Sequence, residues 1–156
     1  MARKPRPRPG LDRVDRAIIE QLQADGRAPY TKLSSAVGLS EAAVRQRVQR
    51  LLEMGVMQVV GVTNPLQLGY RRMAMIGLTA EGDLTSLAEK ISSIPEVAYV
   101  VVTAGSFDLL VEAVVEDDER LLDLVNDRLR ALPGVRTTET FIYLRIQKQT
   151  YAWGAS

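Results

Sequence analysis

The stretch LSSAVGLSEAAVRQRVQRLLEMGV, residues 33–56, contains the pattern that decides the fold of the first part of the chain. Gly38 allows a tight turn, and Ser40 is a residue type that commonly caps the start of a helix. The apolar residues that follow recur at helical spacing, which predicts a helix over residues 41–54 that ends at Gly55. Its apolar stripe is formed by Val44, Val48, Leu51 and Leu52.

Two helices are predicted before this turn. Asp12 can cap the first helix, whose apolar residues recur at helical spacing until Gly26 ends it. Pro29 leads into a short second helix, for which the predicted inward residues are Leu33, Ala36 and Val37. Two short helices that are joined by a glycine turn, the second of them polar and basic on its outer side, are typical of a helix-turn-helix.

The outer side of the third helix contains the candidate DNA contacts. Arg and Gln can each make two hydrogen bonds to a base edge in the major groove, so we predict that this helix binds double-stranded DNA. Arg47 lies at the flank of the face, where phosphate binding or bracing of the fold is an alternative. An ordinary amphipathic helix with a solvated charged face would show a similar pattern. The predicted contact residues are Ser40, Arg45, Gln46, Arg47, Gln49 and Arg50.

The charge of the chain is divided unevenly along its length. Residues 1–64 contain 11 Lys and Arg against six acidic residues, a net charge of +5, whereas residues 65–156 contain nine against 13, a net charge of −4. This division suggests that only the first part meets a polyanion, although chance scatter of surface charge would also produce it. Residues 1–10 are basic and rich in proline, which predicts a disordered arm or an extended DNA contact.

The second part of the chain contains a weak internal repeat. Ile94-Pro95 recurs as Leu132-Pro133, 38 residues later, and each copy ends an amphipathic helix and precedes a strand. Predicted strands over residues 72–80, 97–104, 107–115 and 135–146, with helices over 84–93 and 118–131, give the order βαββαβ. The predicted fold is therefore α+β, with an N-terminal (winged) helix-turn-helix domain and a C-terminal ferredoxin-like domain. The predicted segments are an arm (1–10), a helix-turn-helix domain (11–55), a strand and linker (56–69, the strand over 56–63), the βαββαβ domain (70–147) and a tail (148–156).

One face of the predicted sheet lacks a covering layer within the chain. Two helices cover only one face of four strands, yet apolar residues occupy both faces of the strand over 97–104. Met73 and Met75 likewise point away from the face that contains Ile76 and Leu78. A large uncovered apolar face predicts a partner subunit, so we expect a homodimer that forms through the sheet.

A glycine-containing loop between the two middle strands is a candidate ligand site. Its exposed N–H groups could bind a carboxylate, and Asp108 could accept a hydrogen bond from an ammonium group. A simple hairpin turn, in which Asp108 is only a turn residue, is the alternative. The predicted ligand-binding residues are Thr103, Gly105, Ser106, Phe107 and Asp108, with Thr137, Thr138 and Glu139 of the last strand, from the same or a neighbouring subunit.

These features resemble the Lrp/AsnC family, also called the feast/famine regulators. The similarity extends from Leu11 to about Gln147 and is strongest over residues 11–56, which include Asp25-Gly26-Arg27 and Val37-Gly38-Leu39-Ser40. A second signature is Gly105-Ser106-Phe107-Asp108, which is similar to the Gly-x-x-Asp of the family's ligand-sensing domain. Leu52 departs from the family pattern, in which an acidic residue is common. The resemblance implies a transcription regulator that binds an amino acid or related metabolite between sensing domains. It also implies dimers that assemble further, here into a tetramer or octamer.

The composition argues against several other classes of protein. The absence of Cys and His removes disulfides, thiol and histidine catalysis and the usual zinc sites, so we expect neither a cofactor nor a bound metal. No apolar run is long enough to span a membrane, and residues 2–10 do not resemble a secretory signal, so we expect a cytoplasmic protein. Two alternatives remain open: an enzyme on a ferredoxin-like fold, and an architectural DNA-binding protein without an effector.

Overall fold

A computed structural model describes residues 10–150 of the chain. They divide into two compact units: the first contains residues 10–61 and 148–150, and the second contains Val62–Gln147. The predicted basic arm lies outside the described residues, apart from Gly10.

The first unit contains three helices, as predicted. They are α1 (Arg13–Ala24), α2 (Tyr30–Val37) and α3 (Glu41–Glu53). Asp12 caps α1, Pro29 precedes α2, and Gly38 ends α2 in the left-handed conformation with φ of 69°. Ala36 is exposed, contrary to the prediction, because only one side of the short α2 packs on its neighbours. The fully buried core residues are Ile18, Leu33, Val44 and Leu51, with Ile19 and Val48 almost so.

The strand predicted over residues 56–63 is absent, so the described residues contain no wing. These β-branched residues favour an extended chain, but a strand also needs a hydrogen-bonded neighbour, and none lies beside them in the described part of the chain. Val59, Val60 and Val62 are more than half exposed. A short 3₁₀ turn (Pro65–Leu68) follows within the predicted linker.

The second unit has the predicted βαββαβ order. It consists of β1 (Arg72–Ala80), α4 (Leu84–Ser92), β2 (Val97–Val102), β3 (Leu109–Val115), α5 (Asp118–Asp123) and β4 (Val135–Ile142). The chain continues from α5 into a π-helical segment (Leu124–Leu129), so the predicted second helix is divided. The antiparallel sheet has the order β2-β3-β1-β4, which is the ferredoxin-like arrangement.

The register of the sheet separates its two faces. Ile76 on β1 is paired with Val111 on β3, and both are fully buried in the hydrophobic core with Leu87, Ile91 and other helix residues. On the opposite face, which we call the open face, one row across the four strands contains Tyr99, Glu112, Met75 and Phe141. Tyr99 is 55% exposed and Phe141 44% exposed. None of these four residues belongs to the buried core cluster that the helices of the second unit share with the sheet.

Candidate nucleic-acid interface and ligand site

The start of α3 is held by its turn and cap. The side chain of Ser40 accepts a hydrogen bond from the backbone N–H of Ala43 at 3.3 Å, which satisfies one free donor of the helix terminus. Val44, Val48 and Leu51 anchor the inner side of α3 in the core. The helix therefore presents Ala42, Gln46, Gln49 and Arg50 outward, as its periodicity predicted.

Two of the predicted contact residues are ion-paired to the first helix. Arg47 donates from Nη1 to Asp12 Oδ2 at 2.6 Å and to Asp15 Oδ1 at 2.8 Å. Arg50 donates from Nη2 to Asp15 Oδ2 at 2.6 Å. Asp15 has no exposed surface, while the arginine side chains keep 30% and 48% of theirs. Bracing of the fold, one of the alternatives for Arg47, is therefore observed for both arginines.

Asp12 and Asp15 also cap α1 by bonding each other's backbone N–H groups. The bond from the Asp15 N–H, followed by the bond from Arg47, lowers the pKa of Asp12 below its usual value. The bonds to Asp12 and then to Asp15 raise the pKa of Arg47. Both shifts favour the charged forms of Asp12 and Arg47.

The remaining predicted contacts differ in how firmly they are held. The Arg45 guanidinium lies 4.6 Å from the centre of the Tyr30 ring, a cation–π contact. Gln49 donates from Nε2 to Glu53 Oε1 at 3.0 Å. Gln46 is exposed and has no hydrogen-bond partner among residues 10–150. The contacts of Asp15 and Tyr30 were not predicted from the sequence; an acidic residue at an inward position of α1 was the available signal for Asp15.

The loop between β2 and β3 is held against the end of β1. Asp108 donates its backbone N–H to the Leu78 carbonyl at 2.9 Å and accepts at Oδ2 from the Ala80 N–H at 2.8 Å. The hydroxyl of Thr103 donates to the Phe107 carbonyl. Asp108 is therefore a brace for the loop, and the carboxylate oxygen Oδ1 has no partner among the described residues.

The tip of the loop is open. Gly105 and Ser106 are exposed, and a side chain added at Gly105 would meet no atom within 4 Å. In the part of the chain that the structure describes, the backbone N–H groups of Ser106 and Phe107 donate no hydrogen bond. Backbone N–H groups of this kind can bind a carboxylate, and Asp108 Oδ1, on the next residue, can accept a hydrogen bond from an ammonium group.

Phe107 lies on the open face over a strand glycine. A Cβ on Gly77 would be 2.7 Å from three atoms of the Phe107 ring, so only glycine leaves room for this ring. Phe107 also meets Phe141 edge to face, with 6.1 Å between ring centres. Gly77 and Phe141 were not predicted as part of this site, although a glycine inside an apolar strand is a signal of close approach.

The predicted residues of β4 are separated by the two faces of the sheet. Thr137 lies opposite Thr79 on the open face, with 2.5 Å between their hydroxyl oxygens, and Glu139 lies opposite Gly77. Thr138 is paired with the buried Leu78 and so points to the helix-covered face. Thr137 and Glu139 are exposed on the face where Phe107 lies over Gly77, whereas Thr138 is not part of that surface.

The acidic run over residues 116–119 has a structural explanation. Asp117 caps α5 by accepting from the Arg120 N–H at 2.9 Å, and Asp118 pairs with Arg72. The bond from Arg72 lowers the pKa of Asp118. Between residues 10 and 150, no group of three or more potential metal-binding side chains is found. No helix in that range is long and apolar enough to cross a membrane.

Two family models match the chain and together cover most of it. The model of the AsnC-type helix-turn-helix domain matches residues 11–52, and the model of the Lrp/AsnC ligand binding domain matches residues 73–153. The HTH-type transcriptional regulator FL11 of Pyrococcus furiosus is 35% identical over 142 residues, which is 90% of this chain and 93% of the relative. The leucine-responsive regulatory protein of Klebsiella pneumoniae is 32% identical over 152 residues, which is 94% of this chain and 93% of the relative.

Solved structures give the same result. The leucine response regulatory protein of Mycobacterium tuberculosis is 30% identical with a TM-score of 0.81, covering 89% of this chain and 96% of that chain. A transcriptional regulator of Neisseria meningitidis in complex with L-Met is 25% identical with a TM-score of 0.82, and the match covers 92% of this chain and 96% of that chain. The family is not enzymatic, and its two domains bind DNA and a small ligand. On these matches, and on the fold that carries them, the chain belongs to the Lrp/AsnC family of DNA-binding transcriptional regulators.

Proposed function

We propose that α3 reads DNA in the major groove and that a small amino acid, or a close analogue, adjusts this binding from the loop over residues 103–108. The observation that carries the proposal is the open loop tip, where the N–H groups of Ser106 and Phe107 donate no hydrogen bond among the described residues and the next residue, Asp108, has one carboxylate oxygen without a partner there. The N–H groups of Ser106 and Phe107 would bind the ligand carboxylate, and Asp108 Oδ1 its ammonium group. A structural neighbour solved in complex with L-Met supports the ligand class.

The DNA contacts are assigned by exposure and freedom to move. Gln46 is the best candidate for reading a base because its amide is exposed and unpaired among the described residues. Arg45, Gln49 and Arg50 flank it, Arg47 lies at the edge where phosphate is in reach, and Ser40 supports the helix start. Because the loss of a base contact costs about 1–3 kcal/mol, Gln46→Ala should weaken operator binding roughly 5- to 150-fold.

The DNA assignment is tested on an operator selected from a random duplex library. Gln46→Ala is compared with Gln67→Ala, which removes an exposed Gln from the 3₁₀ turn instead of α3. Fluorescence anisotropy should show a loss only for Gln46→Ala. Equal operator affinity for the Gln46→Ala protein and the native protein would mean that another surface reads the DNA.

The open face supports a homodimer as the DNA-binding unit. Its row across the sheet contains the exposed aromatic residues Tyr99 and Phe141, with Met75 and Glu112 between them, and a second copy would cover these apolar side chains. Such a dimer would present two copies of α3 to a pseudo-palindromic site, and tetramers or octamers would form from these dimers. Light scattering at micromolar concentration should give at least the dimer mass, and Tyr99→Glu should lower it. A monomeric mass for the native protein would exclude this assembly.

The ligand assignment is tested by separating the charge of Asp108 from its bracing role. A thermal-shift screen against amino acids and 2-oxo acids identifies a ligand, since a molecule that binds only the folded state raises its stability. Asp108→Asn keeps an oxygen for the Ala80 N–H but loses the charge, whereas Asp108→Ala loses both. Calorimetry with the best hit should show weak binding to both variants. If Asp108→Asn binds as tightly as the native protein, Asp108 acts only as a brace.

Ligand binding can adjust DNA affinity only if it favours one arrangement of subunits over another. Thr137 and Glu139 of a neighbouring subunit would complete the ligand site, while Thr138 would contribute through the position of β4. A bulky residue at Gly105 tests this arrangement, because its side chain would meet nothing in its own chain. Gly105→Leu should therefore leave the melting temperature unchanged while blocking the ligand response. An unchanged DNA response would place the ligand elsewhere.

A further inference from the structure

A fully buried carboxylate lies beneath the surface that we propose to bind DNA. Both oxygens of Asp15 accept hydrogen bonds from α3, one from Arg47 and one from Arg50. A guanidinium has five N–H donors, and within residues 10–150 each arginine uses only one nitrogen to reach an aspartate. Each arginine thus has an end fixed on α1 and further donors that remain available at the exposed surface.

This arrangement limits how the arginines can move. A charge-assisted bond of 2.6 Å holds one end of the Arg50 guanidinium, so the direction of its remaining donors is set by α1. A freely rotating arginine can follow any phosphate, whereas reading a base requires the planar guanidinium in one orientation. The aspartate also opposes the positive charge of the surface, which reduces its attraction for every DNA sequence equally.

We propose that Asp15 is a positioning residue for DNA recognition, which orients Arg47 and Arg50 and lowers the attraction of this surface for non-specific DNA. The inference rests on the proposed role of α3. It predicts that Asp15 increases the ratio of operator affinity to non-specific affinity, although it makes the surface less positive. A purely structural role would change both affinities together and would leave their salt dependence unchanged.

The test compares Asp15→Asn with Glu20→Gln in the full-length protein. Both substitutions remove one negative charge from α1, but Glu20 is exposed and has no arginine partner among the described residues. Circular dichroism and urea unfolding first establish that each variant folds. Anisotropy then gives the affinity for the selected operator and for an unrelated duplex across a range of salt concentrations.

For Asp15→Asn we expect several-fold tighter binding to the unrelated duplex and a plot of log affinity against log salt that is steeper by about one unit. The ratio of operator to unrelated affinity should fall at least tenfold on the scale of one lost base contact. Glu20→Gln should keep the native ratio. Equal weakening on both duplexes with an unchanged salt slope would overturn the inference.

A second variant serves if Asp15→Asn does not fold. Arg50→Lys keeps the charge beside Asp15 but replaces the planar fork, so the salt slope should stay native while the affinity ratio falls. A native ratio for Arg50→Lys would contradict the positioning of Arg50. Failure of the α3 assignment has a different signature, because Gln46→Ala would then keep the native ratio as well.

Discussion

The contact between Gly77 and Phe107 gives a sharp prediction for the second unit. In Gly77→Ala the new Cβ would lie 2.7 Å from Cγ, Cδ1 and Cδ2 of the ring. Ordinary carbon contacts are about 3.5–4.0 Å, so the ring must move by roughly 1 Å. Because Cγ is attached directly to Cβ, the ring cannot escape by bending at its far end. It must leave its position over β1 and its edge-to-face contact with Phe141.

The expected magnitude follows from opposing effects. Overpacking of this kind costs about 1–3 kcal/mol, and loss of the aromatic pair adds about 0.5–1.5 kcal/mol. Replacing a strand glycine by alanine stabilises the folded state by about 0.5–1 kcal/mol, because it reduces the conformational entropy of the unfolded chain. We therefore expect Gly77→Ala to lower the free energy of unfolding by about 1–3 kcal/mol. It should also weaken ligand binding, because Phe107 belongs to the candidate ligand loop.

The assay is a double-mutant cycle in urea, followed by far-ultraviolet circular dichroism. In the Phe107→Ala background the space over Gly77 is empty, so adding Gly77→Ala should be neutral or slightly stabilising. The coupling free energy between the two positions should therefore equal or slightly exceed the cost of the single Gly77→Ala change. A Gly77→Ala protein as stable as the native one, or an equal cost in both backgrounds, would refute the steric reasoning.

Three further predictions concern other positions. Burial and the hydrogen bond to Glu112 raise the pKa of Tyr143 to about 12. In an absorbance titration, the tyrosinate signal that is present in the native protein and absent from Tyr143→Phe should therefore appear near pH 12. Any stability from the neutral phenol is fully present below pH about 10 and is lost as the pH rises toward 12. Gly134→Ala should cost about 1–3 kcal/mol in urea unfolding, because φ is 98° and the new Cβ would lie 2.8 Å from the Glu81 carbonyl oxygen. Asp12→Asn should lower the urea midpoint of unfolding at pH 7. Because the pKa of Asp12 is lowered in the folded protein, the stability that its carboxylate contributes is lost as the pH falls below about 4. The difference in midpoint between the two proteins should then disappear.

Local sequence signals were sufficient for the elements and their order. The capping residues Asp12 and Ser40 and the left-handed Gly38 act within one helical turn, so their effects are visible in adjacent residues. The apolar spacing of the first part of the chain predicted its three helices, and the structure confirms them. The 38-residue repeat supported the βαββαβ order of the second part, which the structure also confirms. Residues 56–63 show where this reasoning fails, since β-branched residues favour an extended chain but cannot supply its hydrogen-bonded neighbour.

The tertiary structure decided which distant groups meet. Asp15 and Arg50 are 35 residues apart, and Gly77 and Phe107 are 30 apart, so a local pattern could mark Asp15 and Gly77 as unusual but could not identify the residues that they contact. The register of β1 with β4 placed Thr137 and Glu139 on the open face and Thr138 on the other, because neighbouring residues of a strand point to opposite faces. The sequence alone determined the fold class and the two candidate surfaces through local propensity and periodicity. Packing determined which side chains are held in place, because burial and ion pairing depend on residues that only the folded chain brings together.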